Sequence, residues 1–284
     1  METVISSPSR QVRMGDGLPT VIIGERINPT GKKWLQEALK AGDLDVVRRE
    51  ATAQAEAGAD VLDIHVGGFG LDEADLLPRA VQAVLQAVDL PLCLDCTDPR
   101  ALEAALEVYP GKALVNSVTG EERSLSEILP VVKRHGAAVV GLVQDDEGIP
   151  RDADRRVEIA RRIVERAGEE GIPLEDVVID CLVFSVGADA TSGAAVLEAV
   201  SRVRCELGVN VVLGLSNVSF GLPDRGLVNG VFAAMAVLAG ATCLIADAAA
   251  VRHYVLAADL VMGKDRHARR FLADYRRRAG KPTG

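Results

Sequence analysis

The sequence predicts a single (βα)8 TIM barrel with its site at the C-terminal mouth of the strands. Three observations predict it. Helical stretches repeatedly end at a glycine and are followed by a short Val/Ile/Leu/Ala run. About eight such runs occur, the number of strand–helix units that a closed barrel needs. Each run ends in a carboxylate, an amide or both.

In chain order the runs are residues 21–24, 59–64, 91–94, 113–115, 137–143, 176–179, 209–215 and 243–246. Short apolar runs of this kind read as strands covered on both faces. The junction glycines are Gly58, Gly111, Gly136, Gly171, Gly208 and Gly240. Glycine is expected just past a helix C-terminus because it takes positive φ without steric cost. Residues 44–57 read as a helix behind Asp43, a candidate N-cap. Residues 154–168 carry charges on one face and Val157, Ile159, Ile163 and Val164 on another. No Pro-, Gly- or Ser-rich linker interrupts the pattern. The expected organisation is an N-terminal extension over 1–20, the barrel over 21–262 and a basic helix or tail over 263–284.

Composition narrows the function. With 284 residues and 48% hydrophobic side chains, the chain can bury a large core. Aromatics are only 3%, which argues against a base-stacking surface. A net charge of −9 argues against a nucleic-acid or anionic-membrane binder. The longest apolar run, residues 231–246, is too short for a membrane span and contains Gly240 and Thr242. It reads as a buried helix running into a buried strand. Residues 1–19 lack the apolar core of a secretory signal. Five scattered cysteines suit reduced thiols, so a cytoplasmic location is expected. The segment from Lys264 onward holds eight Lys/Arg against two Asp. It reads as a solvated amphipathic helix, with a docking surface for an acidic partner as the alternative.

The strand ends carry the argument. After the first run come Glu25, Arg26 and Asn28; the second ends in Asp63 and His65; the third ends in Asp95 and the fourth in Asn116. The fifth ends in Gln144 and Asp145, the sixth in Asp180, the seventh in Asn217 and the eighth in Asp247. Buried carboxylates are costly unless paired or hydrogen-bonded. In a barrel these positions converge on one mouth; in an open doubly wound sheet only those near the switch point would meet. About a third of them are expected to be helix caps or loop anchors, Asp247 and Asp145 most readily.

Other chemistries lack their signatures. There is no G-x-G-x-x-G, no Walker-type loop, no H-E-x-x-H and no G-x-S-x-G. Cys93 and Cys96 form a C-x-x-C on a strand, where residues three apart face opposite sides, so no metal is expected there. Asp and Asn held on strands suit a flat heterocycle. An ionised carboxylate accepts two parallel N–H bonds from a guanidine-like edge, such as that of a pterin.

The stretch Ile23-Gly24-Glu25-Arg26-Ile27-Asn28 resembles the opening strand of the methyltetrahydrofolate:corrinoid methyltransferases, and the folate domain of cobalamin-dependent methionine synthase starts similarly. Further matches are Cys93-Leu94-Asp95, Val115-Asn116-Ser117, Val178-Ile179-Asp180 and the stretch from Leu213 to Ser219. They run in order over nearly the whole barrel.

The resemblance implies a (βα)8 barrel, usually a homodimer, with the pterin across the mouth. It implies that Asp95, Asn116 and Asp180 hydrogen-bond the pterin, that Asn217 sits beside N5, and that Arg225 frames the same site. Glu25 and Asn28 are expected pterin contacts as well. The substrate would be tetrahydrofolate or 5-methyltetrahydrofolate, and the corrinoid (cobalamin) would ride on a partner protein. Asn217 is then the candidate catalytic residue. His65, Asp63, Gln144 and Phe220 are candidates for supporting or acceptor-side roles. Three positions depart from the family. His65 stands where members often carry Asn, Cys181 where many have Pro, and Phe220 where some have Gln. His65 reads either as a hydrogen-bonded wall residue or as a titrating donor.

Two rival readings stay open, a dihydropteroate synthase-like enzyme and a non-catalytic module that binds folate or a corrinoid protein. The first needs cations for a diphosphate and typically carries Ser-Arg-Lys on the seventh strand, where this chain has Ser216-Asn217-Val218. A barrel lyase or aldolase would place a Lys on a strand end, and none is present there.

Overall fold

The computed structural model describes residues 1–68 and 70–280. Eight parallel strands close into a barrel in the order β10-β3-β4-β5-β6-β7-β8-β9. They are β3 (Val21–Ile27), β4 (Val61–Ile64), β5 (Leu92–Asp95), β6 (Leu114–Thr119), β7 (Ala138–Leu142), β8 (Val177–Asp180), β9 (Asn210–Gly214) and β10 (Cys243–Ala246). Each predicted run falls on one of these strands, with ends displaced by up to four residues.

Helices cover the barrel. Two, α1 (Lys33–Lys40) and α2 (Asp45–Ala57), follow β3, and one follows each later strand: α3 (Glu73–Ala87), α4 (Pro99–Val108), α5 (Glu122–His135), α6 (Ala153–Glu169), α7 (Ser192–Leu207), α8 (Arg225–Ala239) and α9 (Ala248–Val261). The chain then continues into α10 (Arg269–Arg278). No helix among the described residues is long and apolar enough to cross a membrane.

The two-residue period of a strand explains the core. Leu62, Ile64, Leu92, Leu94, Val115, Ile179 and Leu213 point outward into the layer between sheet and helices. Val21, Ile23, Val61, Cys93, Leu114, Val140, Val178, Val212 and Cys243 point inward and fill the barrel. One step further toward the C-terminal ends, the same inward row reads Glu25, Asp63, Asp95, Asn116, Asp180, Gly214 and Ile245. The polar residues are thus the top layer of the barrel interior.

The opposite end is closed by a hairpin, β1 (Glu2–Ser6) with β2 (Gln11–Gly15), within the segment expected only as an extension. Its Ile5, Val12 and Met14 join the inward-facing cluster. Asn210 donates to Thr3 Oγ1 at 2.9 Å and to the Met14 carbonyl at 3.1 Å, and Ser6 N donates to Lys112 O at 2.9 Å.

Two local expectations are corrected. Gly111 is not a left-handed helix cap, since α4 already ends at Val108 in an extended Tyr109. A Cβ at Gly111 would lie 2.0 Å from the Ser6 carbonyl, so this glycine exists for the close approach of β1. The other five junction glycines have φ between 62° and 111°. Asp43 lies one residue outside the N-cap of α2, which is Leu44, and its carboxylate accepts from Asp45 N at 3.0 Å.

Candidate active site

A cavity of about 390 Å³ opens at the C-terminal mouth. Of the predicted site residues it is lined by Glu25, Asn28, Asp63, Asp95, Asn116 and Asn217. Each of the first strands supplies one by the inward alternation described above. Asn217 instead stands exposed on a short 3-10 turn, Leu215–Ser219, directly after β9. Gly214 leaves room for it; a Cβ there would sit 3.1 Å from Asn217 Nδ2.

The turn bearing Asn217 is braced from two sides. Ser216 Oγ donates to Glu25 Oε1 at 2.6 Å. Arg225, at the start of α8, donates to Ser216 O at 2.7 Å and to Ser219 Oγ at 3.0 Å. Arg225 therefore frames the site through the turn; it does not line the cavity itself.

The cavity floor is rich in carboxyl groups. Asp63 is 3% exposed, and Asn116 Nδ2 donates to its Oδ1 at 3.4 Å. Burial, with the Asp95 charge added, pushes Asp63 up to about 8. Burial also raises Asp95, against the lowering pull of His65. His65 Nδ1 lies 3.0 Å from the Asp95 carbonyl and 3.5 Å from its Oδ2, in the wall behind that carboxylate. Glu25 is raised by burial too.

Asp180 ends β8 with its side chain buried, and it accepts from Leu182 N at 2.8 Å. Burial raises it to about 6, while the backbone N–H groups of Leu182 and Gly214 pull the other way. It stands behind Gly214, which lines the cavity, and is not itself a lining residue. Gln144 is turned toward Glu121, to which it donates at 3.3 Å, and Phe220 is 71% exposed beyond the turn. Neither lines the cavity.

Two lining groups, Lys32 and Thr30, carry no sign in the strand pattern, and two more, Arg26 and Asp247, are strand ends to which the sequence assigns no role in binding. Arg26 was seen only as a strand-end residue. It makes a two-pronged pair with Glu50 of α2, at 2.8 and 3.3 Å, and reaches Asp247 at 3.4 Å. Asp247 is an N-cap as expected, accepting from Ala249 N at 3.0 Å, and also lines the mouth. Lys32 and Thr30 come from the loop after β3, where strand periodicity gives no guide. Lys32 Nζ donates to Arg26 O at 2.7 Å and is lowered by burial and by Arg26.

Cys93 faces the barrel interior and Cys96 the outer layer, where its Sγ meets Glu73 Oε2 at 3.1 Å. Chemically, the cavity offers carboxylates and amides that accept from and donate to a planar, N–H-bearing ligand. Its two cations are already engaged by protein oxygens.

A model of the pterin binding enzyme family matches residues 24–247, from β3 to the last strand end. A methylcorrinoid:tetrahydrofolate methyltransferase of Eubacterium limosum is 30% identical over 266 residues, covering 90% of this chain and 96% of that protein. Methionine synthase of Mycobacterium tuberculosis is 32% identical over 244 residues, 81% of this chain but 20% of that longer protein. In the fold alone, dihydropteroate synthase of Yersinia pestis superposes with a TM-score of 0.70 at 18% identity, covering 92% of this chain and 99% of that one. The synthase of Thermus thermophilus gives 0.65 at 24%, covering 91% and 98%. The chain belongs to the pterin-binding enzyme family.

Proposed function

We propose that the protein is a methyltransferase acting between N5 of a tetrahydrofolate and the cobalt of a corrinoid carried by a partner protein. The observation that carries this reading is the mouth itself. Asp63, Asp95 and Asn116 form a polar floor, and Asn217 is exposed into the same cavity on a braced turn. The relative from Eubacterium limosum, matched over almost its full length, supports the same reaction class.

The chemistry asks for such residues. In the folate-to-corrinoid direction the cobalt electron pair forms a bond to the methyl carbon, and the N5–methyl bond breaks. Its electron pair stays on N5, which takes up a proton. An amide donor beside N5 stabilises the charge that develops there, which lowers the barrier more than it tightens ground-state binding. Asn217 has that donor but no acidic proton. Asp63, pushed up to about 8, keeps a proton at neutral pH and is the proton source on the cavity floor. The reverse direction uses the same groups, so partner supply sets the net flux.

A diphosphate-bearing pterin fits less well. Arg26 is held by Glu50 and Asp247, and Lys32 by a backbone carbonyl. We further infer a homodimer through α8, where Leu227, Val231, Met235 and Leu238 form one exposed apolar stripe. Val231→Glu is then expected to give a monomer by sedimentation, and a wild-type monomer at micromolar concentration would overturn this.

The test is an assay with free Co(I) cobalamin and 5-methyltetrahydrofolate, followed by absorbance. Methylcobalamin formation, abolished or strongly slowed in Asn217→Ala, is the expected result. Binding of the folate without transfer to free cobalamin, or to a corrinoid protein, would point to a non-catalytic module.

A further inference from the structure

Arg156 lies in the first turn of α6 and is 0% exposed, the largest fully buried side chain described. It has no role in the cavity lining. Its Nε donates to Pro150 O at 3.0 Å and its Nη1 to Cys181 O at 3.0 Å. The guanidinium carbon stands 5.8 Å from the centre of the Phe184 ring. Its Nη2 has no hydrogen-bond partner among the described residues. A buried cation is costly. Two carbonyls and an aromatic face compensate only part of that cost.

What the arrangement accomplishes is visible in its partners. Pro150 belongs to the loop between β7 and α6, and Cys181 immediately follows Asp180 at the end of β8. The loop that starts at Cys181 then reaches the turn bearing Asn217. Val186 N donates to Val218 O at 3.0 Å, and Ser185 Oγ donates to Phe220 O at 2.6 Å. One side chain thus pins two mouth loops, and the second loop is tied to the third.

We infer that Arg156 is a positioning residue of the pterin site, which fixes the β8 loop through Cys181 O and, through that loop, the turn bearing Asn217. The inference rests on the proposed function, in which Asn217 stands beside N5.

The test compares wild type, Arg156→Gln and Arg156→Lys as full-length folded protein. Single-turnover methyl transfer is measured beside 5-methyltetrahydrofolate affinity by calorimetry, and hydrogen exchange follows the Val186 amide, which holds the β8 loop to the turn bearing Asn217. Arg156→Gln is expected to speed that exchange and to slow methyl transfer about tenfold while changing affinity less than about threefold. Arg156→Lys keeps the charge but not the fork between two carbonyls, and is expected to show the same split. Wild-type exchange and turnover in Arg156→Lys, or equal losses of turnover and affinity, would overturn the inference. If Arg156→Gln does not fold, Arg156→Lys decides. Wild-type protein that binds no tetrahydrofolate, with faster exchange in the variants, would sink the pterin reading and leave the loop brace standing.

Discussion

Replacing Asp63 by Asn should remove a pH penalty that the site imposes on the fold. Asp63 is 3% exposed on the cavity floor and holds its proton up to about 8, against 3.8 for the free side chain. The folded state therefore binds this proton more tightly than the unfolded chain does. The stabilisation it brings is complete below pH 3.8 and is lost as the pH rises through about 8. Each unit of difference is worth about 1.4 kcal/mol, so the loss between pH 5 and pH 8 is at most about 4 kcal/mol. Water entry and side-chain relaxation around the new charge bring the expected loss to about 2 kcal/mol. Urea unfolding of wild type and Asp63→Asn at pH 5, 6, 7 and 8 isolates the term. Asp180 and Glu25 are also raised, and their slopes remain in both proteins, whereas Asp95 interacts with Asp63, so the difference between the two curves reports the pair. The variant should gain about 2 kcal/mol on wild type between pH 5 and pH 8. Parallel stability curves for the two proteins would refute the reasoning.

Three further outcomes follow from the same geometry. Asn217→Ala should lower single-turnover methyl transfer about 100-fold while changing the dissociation constant of 5-methyltetrahydrofolate less than about threefold; equal losses in both would assign Asn217 to binding. Gly111→Ala places a Cβ 2.0 Å from the Ser6 carbonyl and should cost about 2 kcal/mol in urea unfolding, by displacing the hairpin from the barrel floor. Tyr109→Phe should cost about 1 kcal/mol, because the hydroxyl donates to Ser6 O at 2.8 Å and accepts from the buried Leu92 N at 3.1 Å.

Much of the barrel and the floor of its site were legible because strand periodicity is short and strict. Asp63, Asp95 and Asn116 each sit an even number of residues from an inward apolar partner, so the same arithmetic that packs Val61, Cys93 and Leu114 delivers them to the mouth. Lys32 and Thr30 were not legible, since a loop has no period. Arg26 was legible only as a residue near a strand end; its pairing with Glu50 depends on where α2 crosses β3. Asp180 was found as a strand end, but its engagement by Leu182 and Gly214 depends on the course of the next loop. Gly111 illustrates a different limit. A glycine after a helix looks the same whether it serves positive φ or a neighbouring strand.

Arg156 had a signal that charge counting hides. It stands among the many arginines of α6, on what looks like the charged face of an amphipathic helix. Yet it lies four, seven and eleven residues before Ala160, Ile163 and Ala167, all buried. Helical spacing places it on the apolar stripe, where an arginine requires a structural reason.

The most direct measurement of the central claim is a calorimetric titration of the purified protein with 5-methyltetrahydrofolate, beside a dihydropterin diphosphate. The account predicts saturable one-to-one binding of the methylated folate, weakened at least tenfold in Asp95→Ala, and weaker binding of the diphosphate. No heat with either folate or diphosphate, or a preference for the diphosphate that survives Asp95→Ala, would contradict it.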